Sequence, residues 1–327
     1  MPKKLWLLVG LFLLSACTTT TPTILEPTVI APSKTLQVTQ TPFSTLTATP
    51  KVKIPTLTPI PSELVGLDSA YFDGVVLIAR YLIFLDLGVY DQAYQLLHSI
   101  KQNAQSQSDF VFDAEKAYKS VQIKSILPYP VWTAIHTDIS YTEPANLRRF
   151  VVEFHVEGEP GWWEANDIKR VYYLKEENGE WRIYDEQGEI SEKYPQTPPV
   201  RIDPVYFDGM IAIAKYYTYL DKGLFTEAFS LLSSKAQGRR TMEEYVKMST
   251  LAFRMVEIKT IEPYFYFAQQ HNWRTTPEKG VSRQFFIEII AEGEGGMSGS
   301  YPNGVIQSFN ITLIQENSEW RIDKFGI

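Results

Sequence analysis

Proton transfer or metal binding by this 327-residue chain would fall to four histidines, His98, His136, His155 and His271, and to carboxylates placed along apolar segments. His155 has the most suggestive setting. Strand alternation puts Glu153, His155 and Glu157 on one face, an oxygen and nitrogen set of the kind that holds a metal. Ligands two apart on one strand are about 7 Å from each other and converge poorly on one ion, so a solvated sheet face is the favoured reading. The sequence contains no nucleophile motif, phosphate-cradling glycine loop or zinc-spaced cluster, and no cofactor or metal is expected. The glycine-rich run 293–299 reads as a loop between strands. Trp162 and Trp163 offer a different chemistry. Adjacent strand residues point to opposite faces, so one ring is expected to pack inward while the other is a candidate stacking surface for a sugar or a protein.

Cys17 is the only cysteine and ends Leu14-Ser15-Ala16-Cys17, behind Lys3, Lys4 and an apolar run from Leu5 to Leu14. That order is a secretory signal, and the run is shorter than the roughly 20 apolar residues a bilayer span needs. The four residues resemble a bacterial lipobox. The resemblance implies removal of residues 1–16 as a signal peptide and lipidation of Cys17 as an anchor. Residues 17–62 are dominated by threonine and proline, cannot bury a core, and read as a disordered tether. Thr18 lacks the aspartate retention signal, so the cell membrane or, in a two-membrane cell, the outer membrane is the expected address. Signal removal takes the net charge from −7 to −9 with the loss of Lys3 and Lys4, which argues against nucleic acid as a partner and for domains standing off an anionic membrane.

Positioning of the remaining residues rests on an internal repeat. Asp68-Ser69-Ala70-Tyr71-Phe72-Asp73-Gly74 recurs as Asp203-Pro204-Val205-Tyr206-Phe207-Asp208-Gly209, an offset of 135 that holds to Glu157-Gly158-Glu159 and Glu292-Gly293-Glu294. At Trp181-Arg182-Ile183 and Trp320-Arg321-Ile322 the offset is 139, so the second copy carries four extra residues. Residues 63–190 and 199–327 are thus two expected domains. Each begins with helices: Tyr71 to Leu85, a left-handed stop at Gly88 or Gly223, a second helix at Tyr90–Leu97 or Phe225–Leu232, and a third opened by Ser106-x-x-Asp109 or Thr241-x-x-Glu244. Strands follow, through Val121, Ile123 and Ser125, near Ile135, and with Phe150, Val152, Phe154 and Val156 on one face. Asn178-Gly179 and Asn317-Ser318 mark closing hairpins. The order predicts an α+β fold, two tandem cone-shaped domains with N-terminal helices packed in a curved antiparallel sheet.

The tyrosine-rich first helix, Asp86-x-Gly88-x-Tyr90, Ala93-Tyr94-x-Leu96-Leu97 and the closing Glu180-Trp181-Arg182-Ile183, each with its counterpart in the second copy, resemble the nuclear-transport-factor-2-like superfamily. The resemblance covers both copies, and the lipobox and tether add a likeness to bacterial lipoproteins of that superfamily. It implies a general base and a tyrosine or other donor inside the sheet if the chain is an enzyme. Asp73 and Asp208 stand on the first helix, but residues present in both copies are more simply fold requirements; Asp86 and Asp221 read as turn residues. The expected function is a binding or protein-interaction module for a small ligand or envelope protein, with no catalytic residue assigned. An isomerase-, cyclase- or hydratase-like enzyme is the alternative, and a structural spacer the second. The short proline-containing linker between copies leads to one more expectation, an internal pseudo-dimer with sheets face to face, covering Tyr172 and one of the adjacent tryptophans.

Overall fold

The computed structural model describes residues 67–136, 143–160, 166–188, 203–271, 282–294 and 304–326, all within the compact unit Thr56–Ile327. Cys17, the tether and the Trp162-Trp163 pair lie outside the described residues. One element order occurs twice. The first pass is α1 (Ser69–Asp86), α2 (Tyr90–Gln95), α3 (Ser99–Ala104), α4 (Gln107–Ala117), β1 (Ser120–Pro128), α5 (Tyr129–His136), β2 (Leu147–Glu157), β3 (Asn166–Glu177) and β4 (Glu180–Gln187). The second is α6 (Val205–Asp221), α7 (Phe225–Ser230), α8 (Ser234–Gln237), α9 (Met242–Ala252), β5 (Met255–Pro263), α10 (Tyr264–Gln270), β6 (Ser282–Glu292), β7 (Ile306–Glu316) and β8 (Glu319–Gly326). The result is two four-stranded antiparallel sheets, ordered β1-β2-β3-β4 and β5-β6-β7-β8. Among the described residues no helix is long and apolar enough to cross a membrane.

The first helices are apolar on most of their surface, and burial follows: Phe72, Val75, Ile78, Leu82 and Leu85 are inaccessible. Gly74 lets α1 approach its sheet. A β-carbon there would come within 2.2 Å of the Phe150 ring, and one at Gly209 within 2.4 Å of Phe285. Gly88 and Gly223 both stop their helices at φ +69°, the left-handed conformation that costs glycine little. Asp86 and Asp221, expected as turn residues, also tie each helix end to the next strand. Their carboxylates accept from the backbone N–H of Val121 at 2.8 Å and of Val256 at 2.9 Å.

Three departures from the sequence reading have local causes. The segment around Ile135 is the helix α5, not a strand: Pro130 near its start supplies a helix-compatible φ, and Thr133 Oγ1 donates to the Pro130 carbonyl at 3.0 Å. A short α3 or α8 precedes each third helix, because His98 Nδ1 accepts from Ile100 N–H and Ser233 Oγ from Ala236 N–H, and these caps start a turn that the polar composition hides. The alternation in β1 breaks between Ile123 and Ser125, where Lys124 is the extra residue of a bulge repeated at Lys259, so the inward set continues at Ile126.

Both halves share one hydrophobic core. Buried residues of α1, its sheet, α6 and the second sheet form a single cluster. Phe72 meets Tyr266 of α10 edge to face at 4.7 Å, the Tyr266 hydroxyl donates to the Leu67 carbonyl at 3.4 Å, and Lys222 lies 5.2 Å over the Phe84 ring. Tyr172, expected on an outward strand face, points inward; its ring edge meets Tyr81 of α1 in its own half at 6.3 Å. The pleat explains the correction, since Tyr172 pairs with Phe150 and shares its inward phase.

Candidate functional site

A buried polar cluster gathers where β2 begins. Glu143 precedes the strand, and its carboxylate accepts from the Tyr71 hydroxyl at 2.9 Å, from Arg149 Nε at 3.2 Å and from the Arg149 backbone N–H at 3.0 Å. The Arg149 and Glu143 side chains are only 2% and 1% exposed. The guanidinium lies 4.1 Å over the Tyr129 ring, and Trp132 stacks on that ring at 5.9 Å. Burial pushes the Glu143 carboxyl up to about 7, against the opposing pull of Tyr71 and Arg149. Burial and the neighbouring Glu143 push the Tyr71 hydroxyl well up. A carboxyl near neutrality beside a tyrosine has the composition of an acid–base pair. Its geometry is that of a clamp, because protein donors occupy the carboxylate and enclose it.

Part of this cluster recurs in the second half. Arg148 donates to Asp68, to the Pro144 carbonyl at 2.9 Å and to the Leu147 carbonyl at 2.8 Å, with its guanidinium 5.0 Å over Tyr71. Arg283 repeats the arrangement with Asp203 at 3.1 Å and Tyr206 at 5.4 Å. The residue after Arg283 is Gln284, so the first half alone carries an arginine at the position of Arg149. Sequence reasoning missed Glu143 and Arg149. The pattern Glu-x4-Arg, present at Glu143 and Arg148 and again at Glu278 and Arg283, was the available signal.

A second cluster lies where the halves meet. Asp73 of α1 accepts from Thr260 Oγ1 of β5 at 3.5 Å. Burial raises the Asp73 carboxyl to about 6, opposed by Thr260 and helped by Asp68. Glu262, two residues further along β5 and buried, reaches about 7 through burial, then the charges of Asp73 and Glu288, with His271 opposing. Asp208 is also raised to about 6, by burial and by Asp203. Asp73 and Asp208 are therefore half-buried seam and helix residues. The alignment places Glu262 opposite Leu127, and an acid in the apolar context Ile261-Glu262-Pro263 was its only sequence signal.

The remaining candidates separate. His155 Nδ1 is 2.9 Å from Asp167 Oδ1, and Glu153 pairs with Lys169 at 2.7 Å, so the strand face is a cross-strand charge ladder. His98 caps α3, and His271 stacks on Phe267 at 4.2 Å. His136 ends α5. Among the described residues no group of three or more histidine, cysteine, aspartate or glutamate side chains is placed to hold a metal.

No family model matches the chain, and no curated protein does. Similar solved structures include a cystatin-like protein from Ruminococcus gnavus, with 8% identity, 79% of this chain and 90% of that chain covered, and a TM-score of 0.22. An Ntf2-like protein involved in plasmid conjugation has 8% identity, 76% and 96% coverage, and a TM-score of 0.20.

Proposed function

We propose that the chain is a lipid-anchored, extracytoplasmic binding or protein-interaction module. In this reading two cone-shaped domains of the nuclear-transport-factor-2-like superfamily form an internal pseudo-dimer behind a threonine- and proline-rich tether. The observation that carries the non-catalytic reading is the fate of the interior carboxylates. Glu143 is clamped by Tyr71 and Arg149 with 1% of its side chain exposed, and Asp73 is engaged by Thr260 across the seam. In Glu143, the carboxylate best placed beside a tyrosine for acid–base chemistry, the hydrogen-bond donors are the protein's own Tyr71 and Arg149, which ties it to the fold. The anchor reading rests on the lipobox at Cys17, the tether to about residue 62 and the signal before them.

Mass spectrometry of the mature amino terminus tests the anchor: a diacylglyceryl-modified Cys17 is expected, and an unmodified one overturns it. Crosslinking of intact cells with a membrane-impermeant reagent tests the interaction role. Discrete heteromeric adducts that vanish when Cys17→Ser releases the chain are expected; a chain that stays monomeric at saturation overturns it. Small-angle scattering tests the pseudo-dimer, with one compact envelope expected and two lobes of variable separation against it. A second reading, a small-molecule isomerase-, cyclase- or hydratase-like enzyme, draws on the Glu143–Tyr71 pair with its carboxyl near 7. Turnover of a substrate abolished in a folded Glu143→Gln variant would establish it.

A further inference from the structure

The inward faces of the two sheets differ beside the C-terminal halves of α1 and α6. In the first half Tyr172 of β3 pairs with Glu186 of β4, and Arg170 pairs with the buried Val152. The strand phase that packs Phe150 and Val152 against α1 therefore also holds an arginine and a glutamate. Tyr81 of α1 meets the Tyr172 ring edge to face at 6.3 Å, and the Arg170 guanidinium lies over Gly188, where a β-carbon would come within 3.0 Å of Nη1. Tyr118, after α4, completes the group. Burial and then the charge of Glu186 push its hydroxyl up, with Arg170 opposing. Burial, Glu186, Tyr81 and Tyr118 raise the Tyr172 hydroxyl in the same way. Tyr81 and Tyr172 form a floor 5% and 1% exposed, while Tyr118, Arg170 and Glu186 are half-buried and reach solvent.

The second half fills the same place with its own rings. An offset of 139 puts Phe309 at the position of Arg170, Ile311 at that of Tyr172 and Phe325 at that of Glu186. Tyr216, the counterpart of Tyr81, meets Phe325 at 5.8 Å, and its neighbour Tyr217 meets Phe309 at 6.5 Å. The Tyr216 hydroxyl accepts from Tyr245 at 3.0 Å, a partner that Tyr81 lacks because Phe110 stands at that position in the first half. Glu186 is left in a different state. Among the described residues no lysine, arginine or histidine comes within ion-pair distance of it.

We infer that the first half alone binds a small zwitterion, its ammonium group on Glu186 among the rings of Tyr81, Tyr118 and Tyr172, and its carboxylate on Arg170. This rests on the binding-module reading and names its ligand class. Tyrosine rings beside a carboxylate hold an ammonium or quaternary nitrogen, and a guanidinium holds a carboxylate through two hydrogen bonds. Glu186 and Arg170 cancel in charge, so a bare cation meets repulsion from Arg170 and a bare anion from Glu186. A ligand carrying both charges satisfies both ends. The second half, with phenylalanines at the two charged positions, has neither end to offer.

The test is isothermal titration calorimetry of the purified full chain with glycine betaine and with L-leucine, against choline and propionate, which carry one charged end each. Saturable binding of at least one zwitterion at a single site per chain is expected, and neither control should bind as tightly. Glu186→Gln and Arg170→Gln should each weaken binding at least about tenfold. Tyr81→Phe, which removes only a hydroxyl, should weaken it about threefold, and the matched Tyr216→Phe should leave it unchanged. Unchanged melting temperatures would show that the variants fold. No saturable binding of either zwitterion, equal binding of choline or propionate, two equivalent sites per chain, or indifference to both charge substitutions overturns the inference. Crosslinking on intact cells reads the interaction role without these ligands, so failure of that role and failure of this site are distinguishable.

Discussion

Arg149 and Glu143 are joined across six residues of sequence and sealed from water, which makes their energetics depend on both partners. Desolvating two charges costs several kcal/mol each, and their attraction with the Tyr71 hydrogen bond offsets much of this. Removing one partner leaves the other charge buried. Arg149→Ala is therefore expected to lower unfolding free energy by about 3–5 kcal/mol in urea titration, whereas Glu143→Leu with Arg149→Met should lose far less. A loss below about 1 kcal/mol for the single variant would mean that water reaches the cluster. Gly209 is governed by shape alone. A methyl group there would stand 2.4 Å from the Phe285 ring and 3.4 Å from Leu313, so Gly209→Ala should cost about 1–3 kcal/mol, read as a lower melting temperature.

At the scale of elements, the closing hairpins offer a matched experiment inside one chain. Asn178 and Gly179 turn at φ +55° and +81°, while Asn317 and Ser318 turn at +52° and +67°. Serine pays a steric penalty there that glycine does not, about 1–2 kcal/mol. Ser318→Gly is accordingly expected to raise stability by about 1 kcal/mol, and Gly179→Ser to lower it similarly; equal melting temperatures for all three proteins would refute the argument. Such local features were legible in sequence because they depend on neighbours along the chain. The stops at Gly88 and Gly223, the cap at Thr241 and the inward run Phe150, Val152, Phe154 and Val156 all follow from spacing. The helix α5 was misread because its apolar residues are too few to distinguish helical from strand periodicity. The Glu143 clamp was hidden for another reason: Tyr71 is 72 positions away, and no local pattern brings a helix tyrosine to a strand-entry glutamate.

At the scale of the molecule, the shared core makes the meeting of the halves part of the fold, and four carboxylates with raised pKa values, two of them, Asp73 and Glu262, at that meeting, make the fold respond to pH. Asp73 and Asp208 are raised to about 6, and Glu262 and Glu143 to about 7. In the unfolded chain all four would titrate near 4. Between those values the folded protein holds protons that the unfolded chain has released, so folding is favoured at the acidic side and loses ground as pH rises. The contribution is fully present below about pH 4, declines through pH 6–7 and is gone above it. One unit of displacement corresponds to about 1.4 kcal/mol, and with a few degrees of melting temperature per kcal/mol the fall from pH 4 to pH 8 should be about 5 °C or more. Asp73→Asn with Glu262→Gln removes the two charges that face each other from α1 and β5. The double variant is expected to flatten the profile chiefly by raising the melting temperature at pH 8, because it relieves repulsion among Asp73, Glu262 and Glu288 while His271 and Thr260 keep their places. Scanning calorimetry across that range checks it. A variant less stable than the parent at pH 8 would show that the ionised carboxylates are partners in the seam, and would reverse the sign assigned to it.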